Sequence, residues 1–167
     1  MTIRQAKISD IDNIMRMYKS CVNGMIEENI DQCDDTYPNK DIIIKDIVNK
    51  TYYIYILNNT IVGGINIDSI QDKTYLDIKW DDTEDKYLVV HRLGIRKEYW
   101  NKGIGRKLML FTESLVLEKK LNSIRLDTYS NNPIAINFYL KLGFSKKGEI
   151  FLKPNKKYID IRKNREL

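Results

Sequence analysis

Cysteine and histidine are scarce in this sequence, and their scarcity argues against two classes of protein. The chain has two cysteines, Cys21 and Cys33, and a single histidine, His91. The cysteines do not form a C-x-x-C pair, and no histidine lies near them in the chain. This pattern argues against a disulfide framework and against a structural zinc site. We therefore predict a reduced, cytoplasmic protein without a bound metal.

The sequence also lacks long apolar segments. No apolar run approaches the roughly 20 residues that a helix needs to cross a bilayer. Residues 1–7 show none of the apolar character of a secretory signal, and we expect no membrane partner. With 167 residues, 43% of them hydrophobic, the chain is long enough to bury a sizeable core. We predict a single domain over residues 1–167.

Charge is divided unevenly along the chain. Residues 1–85 hold 9 lysines and arginines against 16 acidic residues, whereas residues 86–167 hold 19 against 7. A basic half attracts polyanions, and a sequence pI near 9.0 raises nucleic acid as one such partner. The sequence contains no nucleic-acid-binding motif, and its acidic half opposes that interpretation. We therefore predict no nucleic-acid partner.

The spacing of apolar residues predicts a chain in which strands and helices are mixed. The predicted strands cover residues 2–7, 51–57, 61–69, 74–80, 87–95, 123–129, 144–152 and 157–163. The predicted helices run from the N-cap Ser9 to about Glu28, from Pro38–Asn39 through Ile47, from Ile104 through Leu115, and from Pro133 to Leu142. Gly63–Gly64 inside a predicted strand indicates a β-bulge. This order of elements predicts a mixed α/β sheet.

The most informative segment is a strand, a basic turn and a helix within residues 89–110. The turn contains Gly103 and Gly105. Such a turn aims unpaired backbone N–H groups and the positive end of the helix dipole at one point. Glycines there allow a phosphate to approach the backbone closely. The segment lacks the P-loop pattern, and Leu108 occupies the third glycine position of the dinucleotide-binding fingerprint.

A second segment is a short helix with well-marked ends. Asn132 is placed as its N-cap, Pro133 as its first residue, and Gly143 just beyond its end. The apolar face of this helix carries Ala135, Phe138, Tyr139 and Leu142. By spacing alone, Tyr139 would be a residue of the core.

Together the two segments resemble motifs A and B of the GCN5-related N-acetyltransferase (GNAT) family. The stretch from Trp100 to Gly105 is similar to motif A, R/Q-x-x-G-x-G/A, with Trp100 in place of the usual Arg or Gln. The stretch from Asn132 to Phe144 resembles motif B, N-x-x-A-x-x-x-Y-x-x-x-G-F. The order of elements resembles the family fold over nearly the whole chain. The resemblance implies an α/β (α+β) fold with a mixed, mostly antiparallel central sheet of about six to seven strands flanked by about four helices.

The resemblance also implies acetyl-coenzyme A (acetyl-CoA) as co-substrate, with its pyrophosphate in the glycine turn, and no metal. The implied cofactor-binding residues are Leu93, Gly94, Ile95, Trp100, Asn101, Lys102, Gly103, Ile104, Gly105, Arg106, Asn132 and Tyr139. In the family, a strand step like Leu93-Gly94-Ile95 supplies backbone hydrogen bonds to the reacting group. The tyrosine of motif B, here Tyr139, protonates the departing thiolate.

The catalytic residues implied in this way are Tyr139 as general acid and His91 as the candidate base. Some family members have a Glu four residues before the strand step, a place that Val89 occupies here, whereas others have a His in the position of His91. Strand alternation would put Val89, His91, Leu93 and Ile95 on one face, and an imidazole suits proton transfer. A structural role for His91 is an equal alternative. The remaining candidates for the base, acting through water, are Asp81, Glu84 and Asp85.

These features predict an acetyl-CoA-dependent N-acetyltransferase that transfers an acetyl group to a primary amine by direct attack, as a monomer or homodimer. The alternative is a non-catalytic sensor module of the same fold that binds acyl-CoA. The connection after the first helix is acidic, and in this fold it commonly borders the acceptor side of the cleft, which would favour a cationic acceptor. An acidic loop that is merely solvated is the equal alternative. The acidic residues are Glu27, Glu28, Asp31, Asp34 and Asp35.

Overall fold

The structure is a computed structural model that describes residues 2–32, 38–80, 84, 86–153 and 156–164. The described residues form seven strands and four helices. The strands are β1 (Thr2–Gln5), β2 (Tyr52–Leu57), β3 (Thr60–Asp68), β4 (Tyr87–Ile95), β5 (Ser123–Tyr129), β6 (Ser145–Lys153) and β7 (Lys156–Asn164). The helices are α1 (Ile11–Glu27), α2 (Lys40–Val48), α3 (Ile104–Glu118) and α4 (Pro133–Lys141). None of the helices in the described ranges has the length and apolar character needed to cross a membrane.

The seven strands form one sheet in the order β1-β2-β3-β4-β5-β7-β6. Antiparallel pairing joins β1 to β2, β2 to β3, and β7 to both β5 and β6. β4 and β5 are parallel, and helix α3 supplies the crossover connection that a parallel pair needs. The sheet is therefore mixed and mostly antiparallel, which confirms the fold class expected from the resemblance.

The chain divides into two compact units, each made of two segments. The first unit comprises Met1–Ile67 and His91–Leu110, and the second comprises Asp68–Val90 and Phe111–Leu167. The chain passes from one unit to the other at the end of β3, within β4 and within α3. A single domain over residues 1–167 stays a prediction.

The core of the first unit is formed by the apolar faces of α1 and α2 and by β2. Ile14 and Met17 of α1, Ile43 of α2, and Tyr52 and Ile54 of β2 are fully buried. Burying an apolar side chain of this size contributes about 1.5–3 kcal/mol. This burial confirms the prediction that the periodic apolar residues of the two helices face the core.

The core of the second unit is built on β5, which lies between β4 and β7. Leu126 of β5 and Ile161 of β7 lie opposite each other in the antiparallel register and are almost fully buried. The long hairpin of β6 and β7 extends this part of the sheet. The predicted turn of that hairpin, Pro154–Asn155, lies outside the described residues.

The predicted β-bulge lies between β2 and β3. The pairing shifts between Tyr55 and Ile56, so that Val62 is an extra residue on β3. The neighbouring Gly63 permits close packing, because a Cβ atom at this position would lie 2.9 Å from Cδ1 of Ile95. The structure thus confirms the irregularity that the glycine pair indicated.

The start of α1 differs from the prediction. The segment Ile8–Asp10 forms a 3₁₀ turn and the α-helix begins directly after it, so Ser9 is not the N-cap. The Asp10 carboxylate accepts a hydrogen bond from the Lys7 N–H at 2.8 Å and forms an ion pair with Arg4 at 2.8 Å. The hydrogen bond from Arg4 lowers the pKa of Asp10. These contacts stabilise the turn. The α-helix therefore begins at Ile11, one residue later than an N-cap at Ser9 would place it.

The prediction of a strand over residues 74–80 is wrong. This stretch begins within the 3₁₀ turn Lys73–Asp77. Oδ1 of Asp72 accepts hydrogen bonds from the Thr74 N–H at 2.9 Å and from the Thr74 hydroxyl at 2.8 Å. Asp and Thr side chains compete in this way with strand pairing, so the alternating apolar residues of the stretch did not indicate its conformation.

Candidate functional site

Strand β4 contains a non-glycine residue with a left-handed backbone. Arg92 has a φ angle of 53°, a conformation that interrupts the two-residue alternation of a strand. The prediction that Val89, His91, Leu93 and Ile95 share one face assumed a regular strand. Arg92 interrupts that regularity between His91 and Leu93, so a common face for these four residues stays a prediction.

Buried polar groups hold Arg92 in this conformation. Its guanidinium Nη2 lies 2.7 Å from Oδ2 of Asp46, and its Nε donates to the same oxygen at 2.8 Å. The Arg92 carbonyl accepts a hydrogen bond from the Tyr18 hydroxyl at 2.5 Å, and the Tyr52 hydroxyl donates to Tyr18 at 2.8 Å. A left-handed non-glycine residue costs about 1–3 kcal/mol, and charge-assisted hydrogen bonds are strong enough to offset that cost.

Gly94 lies directly against this polar group. A Cβ atom at Gly94 would lie 2.6 Å from Cε1 of Tyr18 and 3.4 Å from the sulfur of Met17. Any larger residue would have to displace Tyr18, whose hydroxyl supports the Arg92 carbonyl. The central glycine of the predicted Leu93-Gly94-Ile95 step is therefore required by packing within the first unit.

The basic turn before α3 has the geometry of an anion site. Gly103 and Asn101 both have positive φ angles, 77° and 60°. A Cβ atom at Gly103 would meet nothing within 4 Å, so the space beside it is open. The Lys107 N–H donates to the Gly103 carbonyl at 3.1 Å. The backbone N–H groups of the preceding helical residues have no intrahelical acceptor and carry the positive end of the helix dipole.

Basic side chains surround this turn. Lys102 and Arg106 are exposed, and the Lys102 ammonium lies 5.2 Å from the centre of the Tyr99 ring. The Lys107 ammonium donates to the Tyr55 hydroxyl at 3.3 Å. Open space, a left-handed glycine and positive charge together fit a pyrophosphate group.

Trp100, predicted as a cofactor contact, has contacts of its own within the first unit. Its indole N–H donates to the Ile95 carbonyl at 2.9 Å, and the Lys97 ammonium lies 4.4 Å from the centre of its ring. A Cβ atom at Gly24 of α1 would lie 3.0 Å from the Trp100 ring. The side chain at the motif A position for Arg or Gln therefore packs against α1, and its contact with a cofactor stays a prediction.

Part of the acidic connection after α1 is paired with a basic residue. The Lys97 ammonium lies 3.0 Å from Oε1 of Glu28 and 3.6 Å from Oε2 of Glu27. Asp31 is exposed, and the two further predicted carboxylates, Asp34 and Asp35, lie outside the described residues. Two of the five carboxylates expected to attract a cation are thus already paired with a lysine.

Helix α4 has the ends that its sequence predicted. Oδ1 of Asn132 accepts a hydrogen bond from the Ala135 N–H at 2.9 Å, Pro133 is the first residue of the helix, and Gly143 beyond it has a φ angle of 86°. Asn132 is buried. Its predicted contact with the cofactor arm stays a prediction.

Tyr139 of α4 is a buried aromatic residue. The centres of the Phe138 and Phe144 rings lie 5.0 Å and 5.7 Å from the centre of its ring. Burial and the negative charge of Asp127 both raise the pKa of Tyr139. Its hydroxyl is therefore protonated at neutral pH, which is the form that a proton donor needs.

The predicted site residues fall in both compact units. The first unit contains His91, which is half-buried, together with the strand step 93–95 and the turn 100–106. The second unit contains Asn132 and Tyr139. Among the described residues, no cluster of His, Cys, Asp and Glu has the arrangement of a metal site.

A buried polar group in the second unit was not among the site residues predicted from the sequence. The Tyr75 hydroxyl donates to Oδ1 of Asp127 at 2.5 Å, and Asp160 of β7 lies opposite Asp127 of β5. The available signal was one aspartate inside each of two otherwise strand-like segments. Sequence alone did not indicate the register that brings these two residues together.

The family model described as Acetyltransferase (GNAT) family matches residues 13–144 of this chain. Spermidine N(1)-acetyltransferase of Thermoplasma acidophilum is 26% identical over 153 residues, which cover 85% of this chain and 86% of that protein. The chain therefore belongs to the GNAT acetyltransferase family.

Two solved structures show the same fold. A GNAT-family acetyltransferase from Streptococcus agalactiae is 23% identical, with a TM-score of 0.85 over 99% of this chain and 96% of that one. The PaiA N-acetyltransferase of Thermoplasma acidophilum in complex with coenzyme A is 19% identical, with a TM-score of 0.66 over 98% of this chain and 98% of that one.

Proposed function

We propose that this protein is an acetyl-CoA-dependent N-acetyltransferase that acetylates a primary amine of a cationic acceptor. The observation that carries the proposal is the turn before α3 in a chain of the GNAT family. That turn combines open space at Gly103, a left-handed backbone and exposed basic side chains. These are the properties that a pyrophosphate site needs.

We place the co-substrate along β4 and the turn before α3. The backbone N–H groups of residues 103–106 would bind the pyrophosphate, with Asn101, Lys102 and Arg106 beside it. The pantetheine arm would follow the backbone of Leu93–Ile95, and Asn132 would contact it. The coenzyme A complex of PaiA from Thermoplasma acidophilum supports this choice of co-substrate for the fold.

In the proposed reaction a neutral amine attacks the thioester carbonyl directly. The new C–N bond forms as the C–S bond breaks, the amine gives its proton to a base, and the thiolate receives a proton from the Tyr139 hydroxyl. The raised pKa of Tyr139 keeps this hydroxyl protonated until the thiolate leaves. His91 is the proposed base.

The proposal of a cationic acceptor is supported by the relative named for spermidine, which is a polyamine. The pairing of Glu27 and Glu28 with Lys97 leaves the acidic connection after α1 with less uncompensated charge than its sequence indicates. Carboxylates outside this connection are therefore also candidates for recognising the cation.

The direct test is thiol release from acetyl-CoA with a panel of amines, with the acetylated product identified by mass spectrometry. We expect turnover with cationic primary amines. Calorimetric binding of acetyl-CoA without thiol release from any amine would reject the enzyme and favour a sensor of acyl-CoA.

The co-substrate site is tested with Gly103→Val, which we expect to abolish acetyl-CoA binding because a side chain would enter the open space. Gly143→Val is the matched control. Gly143 also has a positive φ angle, but it follows α4 instead of preceding α3. Unchanged cofactor affinity in a folded Gly103→Val variant would contradict the proposed pyrophosphate position.

A further inference from the structure

Asp127 and Asp160 lie side by side in the second unit. They are opposite each other in the antiparallel register of β5 and β7, where Cβ atoms are about 5 Å apart and side chains lie on the same face. On the other side of β7, Gly148 lies opposite Asp160, and Ile78 fills the space that a Gly148 side chain would need. Asp160 is 0% exposed beneath this cover.

The Asp160 carboxylate is buried without a hydrogen bond from any residue that the structure describes. Neither of its carboxylate oxygens has a hydrogen-bond partner in the part of the chain that the structure describes. The charged groups that act on it are the carboxylates of Asp127 and Asp72, and with burial they raise the pKa of Asp160 to about 7. Buried polar groups are almost always paired, so this exception indicates a missing donor or cation.

Arg125, the basic residue of β5, contacts other groups. The Arg125 guanidinium carbon lies 3.8 Å from the centre of the Tyr87 ring and 4.4 Å from that of Trp80. Its Nη1 donates to Gln71 Oε1 at 2.8 Å. Arg125 is not among the groups that shift the pKa of Asp160.

Tyr75 donates a hydrogen bond to Asp127, whose charge acts on the proposed acid Tyr139. Tyr75 is fully buried, and burial and the Asp127 charge hold its pKa well above the usual value, so it remains a donor. The Asp127 charge also raises the pKa of Tyr139. Asp127 therefore lies within electrostatic range of the hydroxyl proposed to protonate the thiolate.

We propose that Asp127 and Asp160 form a cation site for the acceptor, which holds a second, protonated nitrogen beside the amine that is acetylated. This inference rests on the proposed function. Two carboxylates stabilise the ammonium form of a nitrogen, and that form does not attack a thioester, so the site suits a nitrogen that keeps its charge. Asp127 is half-buried and contacts this nitrogen directly. Asp160, which is fully buried next to Asp127, stabilises the positive charge without touching the nitrogen. The acceptor class is therefore diamines and polyamines.

The kinetic test compares 1,4-diaminobutane with butylamine, which has the same length and lacks the second nitrogen. We expect Asp127→Asn to lower kcat/KM for the diamine by about 10- to 100-fold, as for a lost charged hydrogen bond. Any loss for butylamine should be smaller, because butylamine lacks the second nitrogen, so the diamine loses its advantage over butylamine, and the KM for acetyl-CoA should change little. Asp77→Asn is the matched control, because Asp77 is exposed in the neighbouring turn.

A second readout follows from the environment of Asp160. A cation bound at Asp127 favours the ionised form of Asp160, which is about half protonated at pH 7. Diamine binding to the complex with coenzyme A should therefore release about half a proton more in the wild type than in Asp160→Asn. Calorimetry in buffers of different ionisation enthalpy measures this difference, and circular dichroism verifies that the variant is folded.

The outcomes separate this inference from the proposed function. Turnover in which the diamine is no better than butylamine, or in which Asp127→Asn spares the diamine, overturns the cation site and leaves the enzyme intact. If no amine reacts, the proposed function fails and calorimetry still decides the site. A lower calorimetric affinity for the diamine in Asp127→Asn than in the wild type supports the site. Equal affinity of the two proteins overturns it.

Discussion

Each compact unit buries a carboxylate, and the two carboxylates differ in whether a positively charged residue pairs with them. In the first unit, Asp46 is 9% exposed at its side chain and pairs at 2.7 Å with Arg92, itself 14% exposed. In the second unit, Asp160 is fully buried without a hydrogen-bond partner among the described residues. The Asp46 carboxylate stabilises the irregular strand β4 by pairing with Arg92. The second carboxylate accepts no hydrogen bond within the described part of the chain, and we propose that it contributes its charge to a site for a cation of the acceptor.

Removing the partnered carboxylate should have the largest effect. Asp46→Ala leaves the Arg92 guanidinium buried without its counter-ion, which we expect to lower the free energy of unfolding by about 3–5 kcal/mol. Urea denaturation measures the change. Asp41→Ala in the same helix is the control, because Asp41 is exposed. Equal stability of the two variants would show that Asp46 does not support the strand.

Removing the Tyr139 hydroxyl should act on chemistry instead of stability. Tyr139→Phe should lower kcat by about 10- to 1,000-fold through loss of one proton donor, with cofactor affinity nearly intact. Single-turnover kinetics under conditions where the chemical step is rate-limiting provide the measurement. Full activity of the variant would leave Tyr139 with a packing role alone.

Removing the unpartnered carboxylate should stabilise the protein at high pH. Burial raises the folded-state pKa of Asp160 to about 7, above its ordinary value near 4. The folded protein therefore binds a proton that the unfolded chain releases, and stability falls as pH rises from about 4 to about 7. Asp160→Asn removes this loss, so its free energy of unfolding at pH 8 should exceed that of the wild type by on the order of 2 kcal/mol.

The pH dependence of this gain is its internal control. Near pH 4, Asp160 is protonated in the folded protein and about half protonated in the unfolded chain, so little stability has yet been lost and the variant and the wild type should unfold at similar urea concentrations. A gain of equal size at pH 4 and pH 8 would mean that the effect does not come from the charge.

The smallest expected effect concerns the histidine next to the partnered pair. His91→Ala should lower kcat/KM by about tenfold and displace the acidic limb of its pH profile, because one proton acceptor is lost. The free energy of unfolding should change little compared with Asp46→Ala. A pH profile identical to that of the wild type would transfer the role of base to water or to an acidic residue.

Most secondary-structure elements could be predicted from the sequence because their signals are local. The Asn39 cap of α2 and the Asn132 cap of α4 depend on residues three positions apart. The strand, turn and helix from β4 to α3 were predicted by β-branched residues, two glycines and a helical period. The prediction failed at Ser9 and over residues 74–80. There, aspartate side chains bond to nearby backbone groups, and an apolar pattern does not reveal such bonds.

By itself, then, the sequence determined the order of the elements, the glycine turn before α3 and the helix that carries Tyr139. Only the tertiary structure decided which distant charges meet. Arg92 and Asp46 are 46 residues apart, and their contact depends on how α2 packs. The pair formed by Asp127 and Asp160 depends on the register of two strands, in which a slip of one residue would move Asp160 to the other face. Local spacing determines an element, whereas a buried charge pair is determined by packing and pairing between distant parts of the chain.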